Sequence, residues 1–435
     1  MNISVHRGTH QIGGCVTEYE YNGYRLFVDY GEELPGGPKK GDLQVEGLTH
    51  GDISKSALLI THYHGDHIGS ITKLPRDLPI FMGKVGRDIQ LELSDHLKSV
   101  DGVHQEMLDR LQTVKTFEPG KPFPWGDFNI MPVTIDHSAF DAYAFKIEAD
   151  GATAFHTGDF RTHGFRSKTL PGVIKKFIGE VDCVVCEATN ISRPDAASIS
   201  EHDLQKEYEE LFTKNKNNVV YVSSTNIDRL FGLYHAACDT NRVFIIDEYQ
   251  KRIMDIVSKR DPIWGKSELY NFEENKQPIP LTRKRGKFWM TSKLKWLLGE
   301  MGYVLIARSN PYFDEFIQMI PGDKQTYLSM WNGYVDPSKP AYNEKLAKSL
   351  GESFLYKHTS GHYDMNSLRD VLQLLKPKAI IPLHTENPEA FAQLFKDEWQ
   401  VIALNDGDSF QPYRSKYFEN KNKKIYHRLF AFVCR

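Results

Sequence analysis

The sequence predicts an α/β protein, an αββα sandwich with an inserted doubly wound domain, and three features of the 435-residue chain point that way. Short strand-like runs crowd the chain at Ile3 to His6, Val16 to Tyr21, Tyr24 to Asp29, Ala57 to Thr61, Ala144 to Glu148 and Thr153 to His156, as in one half of a layered sandwich. The pattern then changes to strand followed by helix, twice over: Asn218 to Ser223 before Asn226 to Ala237, and Arg242 to Ile246 before Glu248 to Val257. That alternation reads as a doubly wound sheet. Asp159 and His384 each follow a strand, and the gap between them is too long for a loop, so the second domain lies inside it. The expected division is 1–195 for the first part of the sandwich, 196–351 for the insert and 352–435 for the second part. Ser192-Arg193-Pro194-Asp195 and the segment Tyr334 to Leu350 are the expected crossing points.

Taken in order, the first element with chemistry follows the buried run Ala57-Leu58-Leu59-Ile60-Thr61. Residues 61–69 read Thr-His-Tyr-His-Gly-Asp-His-Ile-Gly, which puts four ligand-type side chains, His62, His64, Asp66 and His67, into six positions at a strand end. Imidazole nitrogen with carboxylate oxygen suits a borderline divalent cation such as zinc, whereas magnesium or calcium asks mainly for oxygen. Further ligands follow later strands: His137 in Asp136-His137-Ser138, Asp159 in Thr157-Gly158-Asp159, and His384 after Ala379-Ile380-Ile381-Pro382-Leu383. Each alone would be an ordinary polar residue. Together they form a constellation.

HxHxDH at His62 to His67, His137, Thr-Gly-Asp at Asp159 and a late His384 resemble the metallo-β-lactamase superfamily. Val28-Asp29-Tyr30-Gly31 resembles that superfamily's first motif, whose aspartate supports the histidine loop. Glu187 in Cys186-Glu187-Ala188-Thr189-Asn190 and His358-Thr359-Ser360-Gly361-His362 resemble the first two motifs of the β-CASP nucleases, with His384 as their third. Ser223-Ser224 followed by Asn226-Ile227-Asp228-Arg229-Leu230 is similar to bacterial ribonuclease J. The resemblance runs from about residue 3 to about residue 408 and departs from the pattern at Tyr363 and Thr385, where small residues are more usual.

The resemblance implies two zinc ions, with manganese as the alternative: one on His62, His64, His137 and Asp159, the other on Asp66, His67, Asp159 and His384. Metals roughly 3.5–4 Å apart can share and activate a hydroxide and clamp a phosphodiester. Asp66, His362 and Glu187 are the expected catalytic residues, His362 as the acid for the leaving oxygen and Glu187 as the carboxylate that orients it. Ser223, Ser224, His358, Thr359, Ser360 and Gly361 are the expected phosphate-binding residues. The implied activity is RNA hydrolysis, as a 5′-exonuclease, an endonuclease or both. A DNA nuclease, a small-molecule hydrolase and an inactive RNA-binding scaffold are the competing readings.

Composition fits these expectations. A formal charge of −3 gives no overall basic field, and 40 % hydrophobic residues supply ordinary cores. The basic stretch Thr282 to Lys287, with Lys293 and Lys295, is a candidate polyanion contact or simply a solvated face. Five scattered cysteines do not make a disulfide framework, and Cys183 and Cys186, three apart in one strand, read as core. Neither a signal peptide nor a membrane-spanning run is visible, so a cytoplasmic location is expected. RNA is the expected partner, single-stranded DNA an option, and the oligomeric state stays open, a homodimer included. The roughly fifty residues that follow His384 here are not expected to form the further domain of typical ribonuclease J.

Overall fold

A computed structural model describes residues 1–38, 41–194, 198–258, 268–284 and 286–412. Two mixed sheets face each other in the sandwich. The first has seven strands, in the order Ser409–Phe410, Asn2–Arg7, Val16–Tyr21, Tyr24–Val28, Ser56–Leu59, Ile80–Gly83 and Lys115–Phe117. The second has six, ordered Ala379–Leu383, Cys183–Glu187, Ala152–His156, Tyr143–Ala149, Phe128–Thr134 and Phe123–Trp125. Alternation along each strand sorts the side chains into layers. Ala57 and Leu59 join Ala154, Val185 and Ile381 between the sheets, while Leu58 and Ile60 point outward to Met107 and Leu111 of the helix Gly102–Leu111. On the opposite flank Val184 and Ile380 meet Leu368 and Leu372 of Met365–Leu375. The layers therefore run helix, sheet, sheet, helix, as expected.

The insert is a six-stranded sheet in the order Ile279–Leu281, Val243–Asp247, Tyr303–Ala307, Asn217–Tyr221, Gln325–Leu328 and Leu355–Tyr356, and every pairing is parallel. Its central strands Val243–Asp247 and Tyr303–Ala307 are almost wholly apolar because helices cover both faces. Val220, Ile246 and Ile306 pack on Ile227–Asp239 and Glu248–Ser258, and Tyr221, Ile245 and Leu305 on Ser292–Met301 and Pro311–Met319. The first of these cores also takes in Tyr63, Ala139 and Phe140 from the sandwich, so the two units share packing beside the histidine loop.

The expected crossing at residues 195/196 lies outside the described residues, as does Cys434. Downstream, Tyr334 to Leu350 contributes Leu346 and Leu350 to the insert's core, and Leu355–Tyr356 pairs with the insert's sheet just past residue 351. Cys183 and Cys186 face opposite sides of their strand, one between the sheets and one against helices, both buried with free thiols. Among the described residues no helix is long and apolar enough to cross a membrane. The basic stretch forms a small ribbon, Arg283–Lys284 against Lys287–Phe288, with Arg283 stacked 4.1 Å from the Tyr312 ring centre and Lys287 paired with Glu315. Lys293 and Lys295 are exposed on the next helix, and Arg285 lies outside the described residues.

Candidate active site

All seven expected metal ligands sit beyond the C-terminal ends of sandwich strands and converge. The Nδ1 of His64 lies 3.1 Å from His62 Nε2 and 3.2 Å from His137 Nε2. His67 Nε2 is 3.1 Å from Asp159 Oδ2, and His384 Nε2 is 3.1 Å from Asp66 Oδ2. Ligand atoms lie within 4.8 Å of one another in each of four sets: His62, His64 and His137; His62, His67 and Asp159; Asp66, His67 and His384; and Asp159, Glu187, His362 and His384.

What aims these rings is the hydrogen bond on the other nitrogen. His67 Nδ1 donates to Asp29 Oδ2 at 2.7 Å, and His137 Nδ1 donates to the Gly361 carbonyl at 2.6 Å. His62 Nδ1 contacts the Thr61 hydroxyl, which itself donates to Asp29. His384 Nδ1 contacts the Thr189 hydroxyl, which donates to Glu187. Four imidazoles are thus anchored at Nδ1 and turn Nε2 inward, the arrangement that fixes tautomer and ring orientation in metal-binding histidines. His64 alone presents Nδ1. Two of the residues hold left-handed backbone, Asp29 at φ 61° and His384 at φ 55°, a conformation costly for side chains with a Cβ and concentrated at functional sites. Gly31 lets the loop close over them, since a Cβ there would lie 1.7 Å from the Asp66 carbonyl oxygen.

Electrostatics divide the array. Burial first, then neighbouring imidazoles, keep His62 and His137 well below the usual histidine range, and burial holds His64 down to about 4. These three are neutral nitrogen donors. Burial also opposes charge on His67, but Asp159, Asp29 and Asp66 outweigh it and raise the ring well above its ordinary value. Burial works against ionisation of Asp66 and Asp159 too, yet neighbouring histidines hold both carboxyls below the usual range. Neutral imidazoles beside buried carboxylates are a donor set that fits a divalent cation of zinc's type.

Glu187, at the end of the sandwich strand Cys183–Glu187, is a second hub. Its two oxygens each lie 3.0 Å from His362 Nδ1, one accepts the Phe160 N–H at 2.9 Å and the other the Thr189 hydroxyl at 2.6 Å. Burial disfavours a charged His362, but Glu187 overrides it and lifts the ring to about 9. The sequence gives Thr189 no role of its own; only its place two residues after Glu187 marks it. Tyr363, a departure from the family pattern, is fully buried against Phe160 and donates to the Glu187 carbonyl, so it points away from the centre. Thr385 is buried too, accepting from the Asn387 N–H.

The expected phosphate-binding groups are more scattered. Thr359 donates to the Ile199 carbonyl, Ser360 Oγ accepts the His362 N–H, and the Ser360 carbonyl lies 2.8 Å from His163 Nε2. His358 lies 3.5 Å from an Arg229 nitrogen, and burial followed by that guanidinium depresses it to about 3. Ser223 is exposed and shares a contact with Thr225, while Ser224 Oγ is 3.1 Å from the Tyr249 hydroxyl. The following helix is capped by Asn226, whose side chain accepts the Arg229 N–H, and not by the serines. Tyr63, between two of the clustered histidines, donates to the Thr225 carbonyl at 2.8 Å and so ties this turn to the metal-type loop.

Behind the site lies a polar cluster that the sequence did not disclose. Arg161, fully buried, bonds Asp136 at 3.0 Å, Glu201 at 2.8 Å and Asp228 at 2.6 Å. Arg229 bonds Glu201 through two nitrogens and Ser329 through a third, and Arg166 approaches Asp136 and Asp228. Three guanidinium groups thus face three carboxylates, and the network joins the loops of His137 and Asp159 to the insert's helices.

Residues 50–210 match the Beta-lactamase superfamily domain, and residues 355–404 match the Zn-dependent metallo-hydrolase RNA specificity domain. The ribonuclease J of Helicobacter pylori strain B128 is 25 % identical over 93 % of this chain and 59 % of its own length. Over most of its length the chain is similar to ribonuclease J. Ribonuclease J of Corynebacterium glutamicum is 24 % identical over 87 % of the chain and 52 % of its own length, and that of Sinorhizobium meliloti 24 % over 87 % and 68 %. The chain therefore spans about three fifths of the first of these ribonuclease J-like relatives. A crystal structure of a protein of unknown function from Enterococcus faecalis V583 shares the fold, with a TM-score of 0.69 at 20 % identity over 94 % of this chain and 99 % of that one.

Proposed function

We propose that this chain hydrolyses RNA phosphodiester bonds with two divalent metal ions, zinc or manganese, one on His62, His64, His137 and Asp159 and the other on Asp66, His67, Asp159 and His384. The observation that carries this reading is the set of inward-turned, externally anchored imidazoles around two buried carboxylates. Ions bound there would supply an activated water and the positive charge that a phosphodiester needs as it is attacked. The protein's own contribution is positional. Asp29, Gly361 and Thr189 hold the rings, and Glu187 fixes His362 with its second nitrogen free to give a proton to the leaving 3′ oxygen. The match to an RNA specificity domain and the ribonuclease J relatives favour RNA over DNA as substrate. Ser223, Ser224 and the His358-to-Gly361 loop are proposed to receive a substrate phosphate, the serines lying in the turn before a 13-residue helix whose N-terminus favours anions. A cytoplasmic location fits such a substrate.

The test is to incubate the protein with 5′-monophosphorylated RNA, 5′-hydroxyl RNA and matched single-stranded DNA, each with and without chelator. Chelator-sensitive cleavage of RNA ahead of DNA is expected. Cleavage of DNA alone, or cleavage indifferent to chelator, would overturn the proposal. Preference for the 5′ phosphate that Ser224→Ala abolishes would place the terminal phosphate at the serine turn, whereas internal fragments from both RNAs alike would make the enzyme an endonuclease.

A further inference from the structure

The loop that carries Asp159 goes on to hold the segment of His362 from both sides. The Phe160 carbonyl accepts the Tyr363 N–H at 2.9 Å, and His163 Nε2 meets the Ser360 carbonyl at 2.8 Å. Between these two bonds lie only Gly361 and His362. The sequence marks His163 merely as a histidine four residues after Asp159. Its ring is buried, and burial followed by the Arg161 guanidinium pushes it down to about 4, so it is neutral. A carbonyl can only accept, so Nε2 carries the proton and Nδ1 is bare. That Nδ1 is itself buried and has no hydrogen-bond partner among the described residues. An unpaired buried acceptor costs stability and asks for a reason beyond folding.

The bond to Ser360 sets the direction of a peptide. In a planar trans peptide the C=O and N–H point opposite ways, so the carbonyl held by His163 turns the Gly361 N–H away from that ring. The next peptide is fixed in the same manner: His137 Nδ1 donates to the Gly361 carbonyl at 2.6 Å, and the His362 N–H goes to Ser360 Oγ at 3.0 Å. Two imidazoles therefore hold successive carbonyls, and among the described residues nothing accepts the Gly361 N–H. This N–H lies beside the centre. A Cβ on Gly361 would come within 3.2 Å of His137 Cε1 and 2.8 Å of the Ser138 hydroxyl, and the His137 and His362 ring centres are 5.4 Å apart.

We propose that His163 is a positioning residue: its Nε2–H fixes the Ser360–Gly361 peptide so that the Gly361 N–H is left to receive a non-bridging oxygen of the substrate phosphate while His362 stays at the leaving oxygen. The inference rests on the RNA-hydrolysis reading above. His163 acts through the loop and not on the phosphate itself. With its bond gone, the Ser360 carbonyl is free to rotate, and the peptide can turn an oxygen toward the phosphate in place of the N–H. A hydrogen bond to a charged group is then exchanged for a repulsion. The contact of His362 with Glu187 is untouched by that rotation.

The experiment measures kcat and KM on one RNA across a range of pH, together with metal content and the urea midpoint, for wild type, His163→Leu and His163→Gln. Leucine removes the donor, whereas glutamine can present an amide N–H near the place of Nε2. His163→Leu is expected to lower kcat/KM by about 10- to 150-fold, with metal content and the shape of the pH profile unchanged because Glu187 still holds His362. Its urea midpoint should stay close to that of wild type, since the unpaired Nδ1 disappears along with the bond. His163→Gln should restore most of the rate. A wild-type kcat/KM in His163→Leu, a loss that glutamine does not repair, or a loss that comes with missing metal or an unfolded chain overturns the positioning role and leaves the nuclease reading standing. A wild type that cleaves no RNA overturns both.

Discussion

Two buried polar clusters begin side by side in the chain, at Asp136 and His137 and again at Asp159 and Arg161, yet they are built on opposite plans. In the Arg161 cluster every charged group has its partner. Arg161 satisfies Asp136, Glu201 and Asp228, and Arg229 closes on Glu201, so these five buried charges find their partners within the protein itself. In the histidine cluster the partners lie outside. Asp29, Gly361, Thr189 and Thr61 occupy the outer nitrogens, and the inner ones face each other and two carboxylates. A complete ionic network locks two units together. A set of donors aimed at one another asks for a cation.

The largest test of this contrast removes inner donors. Asp66→Ala or His67→Ala is expected to abolish RNA cleavage while the circular-dichroism spectrum remains that of a folded protein, because a ligand site can lose one donor without opening the core. Unfolding of both variants would make the cluster structural and the contrast false.

Next comes His362. If Glu187 positions it as the proton donor, His362→Ala should lower kcat by roughly 10²- to 10⁴-fold with metal content unchanged. Loss of metal along with activity would move His362 into the ligand set, where its 3.9 Å approach to Asp159 already places it close.

The Arg161 cluster should respond in stability. Arg161→Met takes from Asp136 and Asp228 the guanidinium that bonds them and from Glu201 one of its two, and breaking a buried pair costs about 3–5 kcal/mol, which a urea melt will read. The same cluster should be sensitive to acid. Burial disfavours the Glu201 charge, but Arg229 and Arg161 depress the carboxyl to about 2 from an ordinary 4.5. Because the folded value lies below the unfolded one, this contribution is full above pH 4.5 and is lost as the pH falls toward 2. Arg161→Met should be less stable than wild type near neutrality and show a shallower acid loss.

The contrast also explains what could be read from the sequence. The histidine site was legible because its donors are rare residue types packed into His62 to His67 and repeated at strand ends. The strands around it were legible where alternation or apolar runs were clean, as at Val16–Tyr21, which matched residue for residue. Ser56–Leu59 stops short of the expected Thr61 because Asp29 takes the Thr61 N–H in place of a neighbouring strand. Phe128–Thr134 went unrecognised: Asn129 and Pro132 interrupt its pattern, although it pairs along its length with Tyr143–Ala149. The Arg161 network could not be read at all. Arginine and glutamate are common on any surface, and their partners here, Asp136, Glu201, Asp228 and Arg229, come from distant segments that only the fold brings together.

The most direct measurement is metal content with activity in the same sample. Protein purified without chelator is predicted to carry about two divalent ions per chain by elemental analysis, to lose them and RNA cleavage together on chelation, and to regain cleavage with zinc or manganese. Protein with no stoichiometric metal that still cleaves RNA at full rate would contradict the account.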